Sequence, residues 1–199
     1  MPDHGLPACL HPLDTPPQPP GWNHAELADV LGDAALVPAA VLLALRPTAQ
    51  GPALLFTRRV ENLRQHGGQV SFPGGRRDAG DRDALATALR ESGEEIGLTP
   101  AQVEPLGYLD CFDTLSGYCI TPVVARIAAD FSARPNPDEV AEMFELPLAW
   151  LRQPDRCLER RLDYRGRPRT LYEFSGGPHR IWGATAAILH NLLQRLEGT

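Results

Sequence analysis

The stretch from Gly74 to Leu98, GGRRDAGDRDALATALRESGEEIGL, constrains this chain more than any other. A Gly-Gly turn leads through a loop rich in Asp and Gly into a helical pattern with apolar positions Leu85, Ala88, Leu89 and Ile96. Asp81 or Asp83 can cap the start of that helix, and Gly97 can end it. At about 100° per residue, Glu91 shares a face with both Glu94 and Glu95. Like charges at this spacing cost a helix about 0.2–0.5 kcal/mol per pair, and the macrodipole disfavours anions at a C-terminal end. A solvated face would more naturally carry Arg there. The carboxylates therefore point to a cation among them, and hard divalent ions such as Mg²⁺ take oxygen ligands and travel with phosphates. Arg90 stands four residues before Glu94 and can fix that carboxylate's direction.

The rest of the chain narrows the fold. Seven prolines between Pro2 and Pro20 forbid a helix or a central strand, so residues 1–22 read as a poorly ordered or extended arm before one domain, 23–199. His24 to Leu31 suits a short helix. Ala39 to Leu45 and Ala53 to Arg58 read as strands joined by a turn at Pro47 and Gly51. Val60 to Gly68 reads as a loop, and Gln69 to Phe72 as a short strand. Val103 to Asp110 and Cys119 to Ile127 form another strand pair. Asn136 to Phe144 suggests a short helix stopped by Pro147. Cys157 to Tyr164 and Arg169 to Phe174 flank a turn at Arg165-Gly166-Arg167-Pro168, and Ile181 to Leu196 reads as a closing helix. Hairpins in place of regular βαβ crossovers imply an α/β fold with a mixed central sheet and helices on its faces.

Composition excludes several functions. A net charge of −6 argues against broad binding to nucleic acid or anionic membranes. All 19 basic residues are Arg, which removes a P-loop lysine and Schiff-base chemistry and suits bidentate phosphate binding. Cys9, Cys111, Cys119 and Cys157 form no CxxC pair, and neither a signal peptide nor a membrane-length apolar run is apparent. The expectation is a soluble cytoplasmic protein with a small-molecule substrate.

The segment Arg90-Glu91-Ser92-Gly93-Glu94-Glu95-Ile96-Gly97-Leu98 resembles the second half of a Nudix box, with Ser92 where an aliphatic residue is usual. The first half departs from that pattern, since Asp81 stands where Glu is usual and one extra residue follows it. Leu55-Phe56-Thr57-Arg58-Arg59, then Arg64, Gly68 and Phe72-Pro73-Gly74-Gly75, resembles the signature upstream of the box in coenzyme A pyrophosphatases. The likeness covers roughly residues 36–196.

It implies a Nudix α/β/α sandwich and Mg²⁺- or Mn²⁺-dependent cleavage of coenzyme A or acyl-coenzyme A at its pyrophosphate. It further implies Glu91 and Glu95 as metal ligands, with the Gly74 carbonyl as a further ligand. Glu94 shares a metal or acts on water, and Arg90 orients the carboxylates. Arg59, Arg64 and Gly68 would meet substrate phosphates, although either arginine can instead pair with Glu61 or a surface carboxylate, and Gly67 and Gly68 equally suit a plain turn. His66 reads as a solvent-exposed loop residue. Glu139 is either a general base or extra ligand, or part of a solvated helix face. Tyr118 and Trp182 read as core residues.

Overall fold

The computed structural model describes residues 6–61 and 67–198. In chain order the main elements are α1 (His24–Leu31), β1 (Val37–Thr48), β2 (Gly51–Arg59), β3 (Val70–Ser71), β4 (Gly74–Arg76) and α2 (Ala84–Ile96). There follow β5 (Val103–Tyr108), β6 (Phe112–Asp113), β7 (Tyr118–Ile127), β8 (Val140–Pro147), α3 (Leu148–Leu151), β9 (Cys157–Tyr164), β10 (Arg167–Phe174), β11 (Ile181–Trp182) and α4 (Ala184–Glu197).

The long apolar strand β1 is the axis. Its sequence alternates faces, so Leu43 and Leu45 pack toward α4 whereas Leu42 and Ala44 pack toward α2. Each fully buried leucine stabilises the fold by about 1.5–3 kcal/mol, and burial on both sides explains why AAVLLAL is apolar without a break. β1 runs parallel to β7 from Val37↔Tyr118 to Leu45↔Arg126, and the other ladders of this sheet are antiparallel. The sheet is thus mixed, in the order β3-β2-β1-β7-β5, with β8 on β2, β4 on β1 and β6 on β7. A second sheet, β11-β10-β9, lies with α4 on the face opposite α2. The architecture is α/β/α.

One edge of β1 is shared. Its C-terminal half pairs with β2 (Leu45↔Leu54), while its N-terminal half pairs with β4 (Val41↔Gly74). Beyond β1, β2 takes up β3 instead (Thr57↔Ser71). The split brings β4 under α2.

Several expectations are corrected. The segment 136–144 is not a helix: β8 begins at Val140 and pairs along β2 from Arg59↔Val140 to Ala53↔Pro147. Glu, Ala and Met favour helix locally, but the ladder and the stack of Phe144 on Phe56, centroids 5.5 Å apart, override that preference. The Gly74-Gly75 pair is strand rather than turn. Gly74 has φ 152°, and a Cβ there would stand 2.3 Å from the Ala40 carbonyl oxygen, so only glycine fits against β1. The closing helix starts at Ala184, after a short strand at Ile181–Trp182.

Of the two readings of the proline-rich arm, poor order and an extended course, its described residues follow the second and pack on the domain. Pro7–Cys9 forms a 3₁₀ turn, His11 bridges to Tyr108, and Leu6, Cys9 and Leu10 belong to the core on the α4 side. Arg195 of α4 secures the arm by donating to the Cys9 carbonyl at 2.6 Å and to Asp110. The four cysteines are free thiols, and no helix among the described residues is long and apolar enough to cross a membrane.

Candidate active site

The helix α2 is built to present its far end. Asp83 caps it by accepting from the Ala86 N–H at 2.8 Å, which is worth about 1 kcal/mol. Gly97 closes it in the left-handed conformation, φ 72°. The last turn carries no basic residue, so Glu94 and Glu95 meet the negative end of the dipole without compensation from within that turn.

Arg90 organises one side of this end. Its Nε and Nη2 donate to the two Asp81 carboxylate oxygens at 3.1 and 2.9 Å, and Nη2 also donates to the Arg76 carbonyl. Nη1 donates to Glu91 at 2.9 Å and to Glu94 at 3.2 Å. Asp81 is therefore the fixed anchor of the arginine, and Arg90 holds its carboxyl far below the usual range. The displaced acidic residue of the irregular half of the motif thus has a definite place. The extra residue after it is absorbed before the helix, because Ala84 opens α2 only after the Asp83 cap.

Glu95 has the opposite surroundings. It is 2% exposed, and burial pushes its carboxyl up to about 7, opposed by the Gly74 N–H at 3.1 Å and by Arg59, whose Nη1 stands 3.5 Å from Glu95 Oε1. Glu139 and Glu91 raise it further. Burial likewise raises Glu91, opposed by Arg90 and reinforced by Glu94 and Glu139. Gly75 makes room for Glu91, since a Cβ at Gly75 would lie 2.5 Å from its carboxyl carbon.

Among the described residues, no three His, Cys, Asp or Glu side chains yet close around an ion, because Arg90 draws Glu91 and Glu94 to itself. The donor set still fits a hard divalent cation. Crowded carboxylate oxygens, two of them partly or fully buried, are costly without one, and a cation among them would offset that cost.

The remaining sequence candidates separate clearly. Arg58, not Arg59, pairs with Glu61, which leaves Arg59 directed to Glu95. Gly68 has φ 72°, donates to the Arg59 carbonyl and packs against Glu61, as a turn-forming residue does. Arg64 and His66 lie outside the described residues. Glu139 sits in the turn before β8, its carbonyl accepting from the Val60 N–H at 3.0 Å, and its charge acts on both Glu91 and Glu95.

Tyr118 and Trp182 are not core. They line a cavity of about 740 Å³ on the α4 side of β4, together with Trp22, Tyr164, Leu162 and Tyr172. Arg59 and Gly74, which both contact Glu95, also border it, as does Gly75. Sequence reasoning missed Trp22, Leu162 and Tyr164 here. They come from the arm and from the β9–β10 hairpin, and no local pattern marks them.

These features assemble a carboxylate cluster suited to a divalent cation, and comparison with known proteins gives the family of the chain. The model of the NUDIX domain matches residues 36–164, and the chain belongs to the Nudix family. It is similar to the uncharacterized Nudix hydrolase NudL of Pectobacterium atrosepticum, 44% identical over 146 residues that span 73% of this chain and 76% of the relative. The protein of the same description from Escherichia coli is 40% identical over 154 residues, spanning 77% of this chain and 80% of the relative. The fold is also that of a MutT protein from Methanosarcina mazei, with a TM-score of 0.53, 17% identity and coverage of 83% of this chain and 96% of that one. The chain is accordingly a Nudix hydrolase acting on pyrophosphate bonds of nucleoside diphosphate derivatives, a chemistry for which the family uses divalent metal ions.

Proposed function

We propose that the chain is a coenzyme A pyrophosphatase, hydrolysing coenzyme A or an acyl derivative to 3′,5′-ADP and (acyl-)4′-phosphopantetheine with Mg²⁺ or Mn²⁺. The observation that carries this reading is the position of Arg59, which stands between the buried Glu95 and a long cavity walled by aromatic and aliphatic residues. A diphosphate at the carboxylates would place its cationic partner at Arg59 and leave the cavity for an extended, mixed-polarity arm or a base. Arg64 belongs to the same motif and is proposed to serve the additional ribose phosphate.

Glu91 and Glu95 would hold the cation, with the Gly74 carbonyl as a further oxygen and Glu94 as a shared ligand or a group acting on water. A bound divalent ion neutralises the diphosphate and lowers the pKa of coordinated water. Arg90, tied to Asp81, would fix the directions of Glu91 and Glu94. Glu139 is the candidate to receive a proton from the attacking water, because it faces the same carboxylates from a separate element.

The test is incubation with coenzyme A, ADP-ribose and diadenosine polyphosphates, with Mg²⁺ or Mn²⁺, and chromatographic separation of the products. Coenzyme A is expected to be turned over fastest, yielding 3′,5′-ADP. Much faster cleavage of ADP-ribose would overturn the assignment.

A further inference from the structure

The edge strand β9 lends Leu162 and Tyr164 to the cavity wall, but the hydrolase site does not use its open main-chain edge. Among the described residues the strand pairs with β10 alone, and from Leu158 to Tyr164 every residue is exposed. Leu158 is 39% and Leu162 50% exposed, an uncommon state for leucines on a strand. The strand reads CLERRLDY, so its faces alternate: Leu158, Arg160, Leu162 and Tyr164 on one, Cys157, Glu159, Arg161 and Asp163 on the other.

Charges on an open edge normally repel a second strand. Here they are arranged the other way. Glu159 and Arg161 flank Arg160 symmetrically and carry opposite signs. If two copies of β9 lie antiparallel about Arg160, Glu159 of each copy stands opposite Arg161 of the other, and Leu158 stands opposite Leu162. Both kinds of pair are favourable across an antiparallel ladder. Neighbouring centres are worse. Moving the centre to Arg161 puts Glu159 against Asp163, and centring between Arg160 and Arg161 sets those two arginines directly opposite and Leu158 against Asp163. The remaining Arg160–Arg160 contact is eased within each chain, since Arg160 Nε lies 3.8 Å from Glu173.

The main chain suits this register. The hairpin closes through Arg165 and Gly166, with φ 56° and 75°, after the pair Tyr164↔Arg167. A two-residue turn of that kind hydrogen-bonds its closing pair, so the even positions of β9 are bonded to β10 and the odd ones face outward. The main-chain groups of Glu159 and Arg161 are therefore the ones free to pair.

We propose that β9 is a homodimerisation edge, which joins two copies of this chain by antiparallel strand addition about Arg160. The contact is isologous, each copy supplying both halves of every pair. It continues the three-stranded sheet across the two copies and sets Leu158 of the second copy beside Leu162 at the mouth of the cavity.

The test is mass in solution by light scattering after size exclusion, across a range of protein concentrations, for the full chain and three exposed-surface variants. The wild-type chain is expected at twice the monomer mass. Glu159→Arg and Arg161→Glu, each alone, set like charges opposite one another and are expected to give monomers with unchanged circular dichroism. Combining the two reversals restores opposite signs and is expected to restore the dimer. A wild-type monomer throughout, or a dimer that neither single reversal disturbs, would overturn the edge. A double variant that stays monomeric would overturn the register.

Discussion

Two arginines flank the carboxylates of α2, and they are held in opposite ways. Arg90 is committed to Asp81, Glu91, Glu94 and the Arg76 carbonyl, all within hydrogen-bonding distance. Among the described residues Arg59 has one acidic partner, Glu95, at 3.5 Å, and it borders the cavity. The first arrangement is rigid and sets the direction of carboxylates. The second leaves a cation free to exchange one anion for another when a phosphate arrives. On the proposed function, the contrast separates a group that positions ligands from one that meets substrate, although both are Arg.

The largest effect is expected at the carboxylate between them. Glu95→Gln keeps the shape and the Gly74 contact but removes the charge, and metal-dependent turnover should fall to the level of an enzyme-free control while the fold survives. Retained turnover would remove Glu95 from the metal site. Asp81→Asn releases Arg90 and should lower kcat about 10- to 100-fold with little change in KM, as loss of a group behind metal ligands does. A rise in KM alone would move Asp81 to the substrate side.

Arg59→Ala should do the reverse and raise KM about 10- to 100-fold, the worth of one charge-assisted hydrogen bond, with a smaller change in kcat. Steady-state kinetics on coenzyme A distinguishes the two arginines.

The smallest effect concerns a third arginine, remote from the site. Burial raises the Asp110 carboxyl, but Arg195, His11 and Asn191 outweigh it and hold the group at about 2, below the ordinary 3.8. A depressed carboxyl stabilises the fold fully above its ordinary value and loses that contribution as pH falls through its folded value. Stability should therefore decline between about pH 4 and pH 2. Asp110→Asn should be less stable at neutral pH and show a shallower decline over that window in urea titrations.

The two halves of the site were not equally readable from residues. Glu91, Glu94 and Glu95 lie within two helical turns, so spacing alone puts them together, and Gly97 and Asp83 mark the ends of their helix. Asp81 stood out as irregular, yet its two bonds to Arg90 depend only on a loop of a few residues. The helix expected over 136–144 failed for a different reason. Its residues favour helix when considered alone, and the ladder with β2, more than 80 positions earlier in the chain, decided otherwise. The arm reads equally as poorly ordered or extended, because prolines exclude long regular elements but do not prevent Leu6 and Leu10 from reaching a core.

What the sequence determined by itself is the chemistry: crowded oxygens on one helix end, an arginine four residues back, and glycines small enough to admit them. These are local consequences of helical period and side-chain size. Only the tertiary structure decided where Arg59 points, that Tyr118 and Trp182 face a cavity, and that Trp22 and the β9–β10 hairpin wall it. Those positions are set by strand pairing and packing between distant segments, and pairing of that kind leaves no periodic mark on the chain.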